Sequence, residues 1–279
     1  MALQELEAQL DRMCQKEVRI LCLYVAGSFF DRREISDAQR RKVLAAVARR
    51  ARVRRLVVET RPEFLRPGLI AEAVRLLEGV ELEVGIGLDS VDPSVRALCL
   101  NKHSTREHFE TAARCVVGEG ARLLTYAVLK PPFLDESPAI ESAVSTGLYA
   151  FDLGASSVSL EPLAVQPGTL AHLLWVEKLH RPPWLWSVVE VLRHLAPHGR
   201  VRVGGLVVYP SAEHCAGNCS SCSQQFRSVL QDFNLSQRAD RLRTLACSCR
   251  ALWEQELELS RTLHQRLDET LASLRGLRS

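Results

Sequence analysis

The sequence predicts an α/β protein of the (β/α)-barrel kind, and three observations carry that prediction. Short β-rich runs alternate with helical segments through most of the chain, with turn signals at nearly every junction. Such alternation requires parallel strands joined by helical crossovers. No G-x-G-x-x-G phosphate loop opens the first unit, which disfavours an open dinucleotide-binding sheet. Polar residues also recur where strands end, at Ser28, Glu59, Arg61, Asp89 and Lys130. In barrels that end of the strands is where active sites sit.

The elements follow in order. Residues 18–25 form a β-rich run ending in Ala26-Gly27-Ser28, and residues 37–50 read as a helix. RLVVE (55–59) is a short buried strand, followed by a helix over 66–77, a strand over 82–88 and a helix over 104–118 opened by a Ser/Thr cap. A strand at 123–129, a helix at 137–148 and a strand at 157–160 continue the pattern. Helices near 169–179 and 184–195 and a strand at 201–208 complete it. Ahead of these lies an amphipathic helix with Leu3, Leu6, Leu10 and Met13 on one side. Beyond residue 210 cysteines cluster, and 251–274 reads as one long charged helix. A boundary is therefore placed at 209/210, separating a barrel (1–209) from a Cys-rich metal-binding segment with a C-terminal helix (210–279).

Composition narrows the function. The 279 residues are 47% hydrophobic and 25% charged, ordinary globular values. The formal net charge of +3 does not mark a nucleic-acid binder, so a basic face would have to be local. There is no apolar run of membrane-spanning length and no signal-peptide core, so a cytoplasmic protein is expected. In that compartment nine cysteines point to metal rather than to a disulfide framework.

The strongest local chemistry is His214-Cys215-x3-Cys219-x2-Cys222 followed by Cys247-x-Cys249. Two closely spaced thiol groups bracketing a longer segment fit a tetrahedral Zn2+ site. Four of Cys215, Cys219, Cys222, Cys247 and Cys249 suffice, leaving one spare, with His214 an alternative ligand. Cys22, Cys99 and Cys115 fall within strand and helix patterns and read as apolar fillers. Lys130-Pro131-Pro132 fixes an extended strand exit. In His180-Arg181-Pro182-Pro183-Trp184-Leu185-Trp186, Arg181 and the two tryptophans could stack a nucleobase, against the plainer reading of core tryptophans at a helix start. Arginines of the last helical stretch, Arg261 and Arg266 among them, read as solvated ion-pair partners.

Several segments resemble one family together and in order: AGSFFDRREI (26–35), VVETRPEFL (57–65), VGIGLDSVDPSVRALCLNKHST (84–105), YAVLKPPFLDESPAI (126–140), QPGTL (166–170) and HRPPWLWSVVEVL (180–192). They are similar to the radical SAM subunit family of archaeosine synthase, within the radical S-adenosylmethionine (SAM) superfamily. The ETRP and GIGLDS pieces are shared with Elongator-catalytic-subunit-like enzymes. The resemblance implies a partial (β/α)6 barrel lacking its first strand, a [4Fe–4S] cluster held by C-x3-C-x2-C after that strand, and SAM cleavage to a 5′-deoxyadenosyl radical. It implies a transfer-RNA or deazaguanine nucleoside substrate, in which a lysine adduct of a 7-deazaguanine base is cleaved to archaeosine, and a companion transferase subunit. It places SAM at Gly27, Ser28, Glu59, Arg61, Asp89, Tyr126 and Lys130, and substrate at Lys102, Arg181 and Trp184. Ahead of the first run the chain offers one cysteine, Cys14, and no cluster loop. A truncated enzyme is the preferred expectation; the alternative is a non-catalytic barrel that binds RNA or a partner enzyme. In this superfamily the cluster motif follows the first strand, so the late Cys215-x3-Cys219-x2-Cys222 is expected to be a zinc site rather than the SAM cluster.

Overall fold

In the computed structural model, which describes residues 3–14, 18–25, 27–206 and 211–276, the elements run α1 (Leu3–Cys14), β1 (Ile20–Leu23), α2 (Asp37–Ala48), β2 (Arg55–Glu59), α3 (Leu69–Leu76), β3 (Glu81–Asp89), α4 (Arg106–Gly118) and β4 (Arg122–Leu129). They continue as α5 (Glu136–Asp152), β5 (Ser157–Pro162), α6 (Leu170–Val176), α7 (Leu185–Leu195), β6 (Arg200–Val203), α8 (Ser223–Ser236), α9 (Arg250–Glu258) and α10 (Leu263–Gly276). The six strands form one sheet in sequential order, β1-β2-β3-β4-β5-β6. β1 pairs with β2 in parallel (Ile20 opposite Arg55), β2 with β3 (Arg55 opposite Glu81) and β5 with β6 (Ser157 opposite Arg200). Strand order following chain order is the outcome of short right-handed crossovers. The α/β class and the parallel sheet agree with the sequence.

Strand residues explain the burial. Leu56, Val57 and Val58 of β2, and Val84, Ile86 and Leu88 of β3, are all at most 1% exposed. Strands covered on both faces read as near-continuous apolar runs, and these do.

Cα packing divides the chain into two units. One comprises Met1–Gly87, Ser104–Thr125 and Leu153–Ser156; the other comprises Leu88–His103, Tyr126–Asp152 and Ser157–Ser279. The 209/210 boundary falls among residues outside the described ones. In the first unit, Ser36 caps α2 in a capping box with Gln39, and Thr105 caps α4 in the same way with His108. Glu119, just past α4, accepts the backbone N–H groups of Gly68, Ile70 and Ala71 at 2.7, 3.0 and 2.9 Å, so a side chain from a second helix caps α3. On α1, Leu10 is buried, as its stripe predicts.

In the second unit α5 packs on α7 and on α9, and α8 packs on β6. Helix α8 carries Phe226, Leu230 and Phe233 at helical spacing, all buried. The long helix expected over 251–274 is instead two, α9 and α10. Thr262 accepts the Gln265 N–H while the Gln265 amide oxygen accepts the Thr262 N–H, a capping box that starts a new helix. Arg261, in the break, is tied to Asp135.

The α5–α7 contact depends on a glycine. A Cβ on Gly147 would lie 2.5 Å from Leu195 Cδ1. Gly147→Val should therefore destabilise the protein by about 1–3 kcal/mol through overpacking, measured as a lowered midpoint in thermal unfolding; an unchanged midpoint would refute the contact.

Candidate metal centre and strand-end residues

Four cysteines converge in the second unit. The Sγ atoms of Cys219, Cys222, Cys247 and Cys249 all lie within 4.8 Å of one another. Cys219 is 3.6 Å from both Cys222 and Cys247, and Cys222 is 3.7 Å from Cys249. Four thiolates at about 2.3 Å from one tetrahedral ion stand roughly 3.8 Å apart, so the observed spacing fits a single zinc-sized ion. A cubane cluster sets a separate iron under each thiolate and needs them further apart, so these thiols do not fit a [4Fe–4S] cluster. Cys215 lies outside the group and is the spare thiol. His214 is stacked on Trp175 with ring centroids 4.0 Å apart and is also outside.

Local structure explains the convergence. Cys222 is the N-cap of α8 and Cys249 the N-cap of α9, so two thiols sit at positive helix ends. Ser223 Oγ donates to the Cys219 carbonyl and accepts the Asn218 N–H, fixing the turn between the first pair. Hydrogen bonding from Cys247 holds the Cys219 thiol down to about 6, while burial pushes Cys222 up to about 12. Burial thus keeps Cys222 a neutral thiol unless a cation lies beside it. The Trp186 indole N–H donates to Cys249 Sγ at 3.4 Å, and Trp186 packs edge-on against Phe226 and stacks with Trp253. Sequence reasoning had no signal for that outer contact, because Trp186 and Cys249 are 63 residues apart.

From this group a hydrogen-bonded line runs to the end of β4. Trp253, one turn into α9, donates to Ser187 Oγ at 2.8 Å. The Ser187 hydroxyl donates to Glu136, whose other oxygen accepts Lys130 Nζ at 2.5 Å. Lys130 and Glu136 are 5% and 1% exposed. Lys130 also holds a positive φ of 58°, a backbone state that costs a non-glycine residue about 1 kcal/mol or more.

The remaining predicted residues fall as follows. Asp89, at the end of β3 with φ 67°, forms a short ion pair with Lys102, so one expected cofactor residue and one expected substrate residue are partners. Tyr126 is half-buried within β4. Trp184 and Trp186 are both core residues, 7% and 4% exposed. Arg181 lies over the Trp184 ring, 4.2 Å from its centroid, and pairs with Glu256 at 3.2 Å. In the other unit, Ser28 is fully buried and its Oγ accepts the Arg61 N–H at 3.1 Å. Gly27 leaves room for the Glu34 carboxylate, which accepts the Ser28 N–H at 2.8 Å and occupies the space a Cβ would fill. Arg61 pairs with Glu63 at 3.5 Å and covers the Phe64 ring; Glu59 ends β2 half-buried.

No protein-family profile matches the chain. The sequence is 30% identical over 263 residues to archaeosine synthase subunit beta of Methanosarcina acetivorans, covering 92% of this chain and 76% of that protein. The chain belongs to the archaeosine synthase subunit beta family. A second member, from Thermococcus kodakarensis, is 30% identical over 240 residues, covering 85% of this chain and 73% of its own. Among solved structures, an archaeal Elp3 from Methanocaldococcus infernus superposes with a TM-score of 0.60 at 17% identity, covering 84% of this chain. This chain spans 59% of that Elp3 chain's length. SuiB of Streptococcus suis bound to S-adenosylmethionine superposes with a TM-score of 0.53 at 11% identity, over 75% of this chain and 46% of that one. These likenesses show the fold of this chain, a parallel α/β fold of the kind seen in both solved structures. Among the described residues no helix is long and apolar enough to cross a membrane.

The thiol group makes a direct prediction for this family member. The purified chain should hold about one zinc, and Cys222→Ser or Cys249→Ser should abolish it while Cys215→Ser leaves it in place. Zinc content by atomic emission decides, and zinc loss in Cys215→Ser would move the centre. The ion pair makes another. Glu136→Gln leaves Lys130 buried without its partner and should cost roughly 3 kcal/mol, read from denaturant unfolding.

Proposed function

We propose that the chain works in transfer-RNA modification, as the SAM-dependent barrel of archaeosine synthesis that converts a 7-deazaguanine adduct through a 5′-deoxyadenosyl radical. Family membership at 30% identity over nearly the whole chain is the observation that carries this reading. SAM is assigned to the strand ends, its amino-acid portion to Gly27, Ser28, Glu59 and Arg61, with Asp89, Tyr126 and Lys130 as further cofactor residues. A Gly and a buried hydroxyl at a strand end allow close backbone approach and a hydrogen bond. Lys102, Arg181 and Trp184 are assigned to the substrate.

When bound, a [4Fe–4S] cluster would supply the electron that cleaves SAM. The four convergent thiols have the spacing of a single ion, so they are assigned to structural zinc and not to that cluster. What this chain's own residues do is bind and orient. Paired charges at the strand ends keep Asp89 and Lys130 in strained, fixed positions, and fixed polar groups are what a reacting substrate requires. A companion subunit, as the relatives' name "subunit beta" implies for them, would supply the adduct. A cytoplasmic location fits this reading.

The test is genetic. The chain, alone and fused to the part of the Methanosarcina acetivorans relative that the match does not cover, is expressed in archaeal cells deprived of their own beta subunit. The fused form should restore archaeosine in digested transfer RNA, detected by mass spectrometry. Glu59→Ala in that form should reduce it by about tenfold or more. No archaeosine with either form would end the reading.

A further inference from the structure

The second unit holds a cavity of about 560 Å³, a volume typical of a small-ligand site. Five cationic side chains line it: Lys130, Lys178, Arg181, Arg261 and Arg266. Three carboxylates line it with them, and each is already engaged. Asp135 takes Arg261 at 2.9 Å and Arg266 at 3.1 Å, Glu136 takes Lys130, and Glu256 takes Arg181. Glu269 pairs with Arg261 at 2.7 Å as well, so one positive charge is in excess. Trp175, Leu179 and Leu259 add an apolar wall.

A buried polar group in this wall lacks a partner. His180 is 7% exposed, and its Nε2 has no hydrogen-bond partner among the described residues; Arg181 Nε is likewise unmatched. Buried polar atoms are nearly always satisfied, by protein, water or ligand. Burial first, then the cations Lys130, Arg266 and Arg181, press the His180 pKa to about 3. The imidazole is neutral at physiological pH, held so by burial first and by the neighbouring cations second.

We propose that this cavity binds a nucleotide, its phosphate held by Arg181 and Lys178 with His180 as a neutral hydrogen-bonding partner, and its base or sugar against the apolar wall. A guanidinium presents a fork that matches phosphate oxygens. The volume exceeds what inorganic phosphate fills, and the apolar wall gives a bare anion nothing. The choice of a nucleotide rests on the RNA-modifying reading above; the positive, apolar-walled cavity does not.

Binding is measured on the zinc-loaded full chain by calorimetry with guanosine 5′-monophosphate, guanosine and inorganic phosphate as probes. The nucleotide should bind saturably, and guanosine and phosphate each at least about tenfold more weakly, because each lacks half of the contacts. Arg181→Gln and Lys178→Ala should each weaken nucleotide binding by about tenfold with zinc content and thermal midpoint unchanged. Lys178 is exposed, so its variant decides if Arg181→Gln fails to fold. Guanosine binding as tightly as the nucleotide overturns the phosphate site, phosphate binding as tightly overturns the nucleotide, and no saturable nucleotide binding overturns both. Archaeosine restored in cells without binding here removes this site alone; binding without restoration removes the catalytic reading alone.

Discussion

The second unit depends on four sulfur atoms. Cys222 and Cys249 each begin a helix, so an ion held by both ties the N-termini of α8 and α9 together. Few apolar residues are available to do this instead, since α9 buries only Trp253 and α10 only Thr270. In a segment so polar, metal–thiolate bonds can supply folding free energy that a small core cannot. A zinc ion held by these four thiols would take every ligand from protein and keep no open position, the mark of a structural rather than a catalytic site.

That structural role has a reach of several side chains. With Cys249 fixed, Trp253 comes one turn later against Ser187, and Glu256 presents its carboxylate to Arg181 and to the Trp184 indole N–H at 3.0 Å. Ser187 in turn holds Glu136, which neutralises Lys130. A buried ion pair is worth having only when its remaining hydrogen-bonding capacity is filled, and here Ser187 and the Trp184 N–H fill it. The wall of the His180 cavity is thus set by a group of thiols that does not line it.

Much of this architecture is legible from the residues. Strand identities, strand order and the Ser/Thr cap that opens α4 follow from apolar runs and turn residues, because those signals are local. The zinc ligands are legible as a group of five cysteines, but which one is spare is not: Cys215 has the same spacing credentials as Cys219, and only the turn at Asn218 and Ser223 separates them. The break between α9 and α10 is written as Thr262 and Gln265, a capping box hidden inside a helical leucine pattern. What sequence does not show is pairing over distance. Glu136, Ser187 and Trp253 carry no motif, and Arg261 and Arg266, which read as solvated helix charges, converge on Asp135, more than 120 residues earlier.

The strand ends show why polar residues at the expected positions do not by themselves make a site. Ser28 spends its hydroxyl on the Arg61 N–H, and the space above Gly27 is taken by Glu34. Asp89 and Lys102 satisfy each other. A ligand reaching these groups must exchange those partners, which lowers its net gain per contact to the small difference between two hydrogen bonds. His180 Nε2 and Arg181 Nε stand apart, since neither buried atom has a hydrogen-bond partner to give up. By that accounting Lys178, the lining cation outside these ion pairs, offers a ligand more per contact than the strand ends do, and the strand ends act first as a rigid frame.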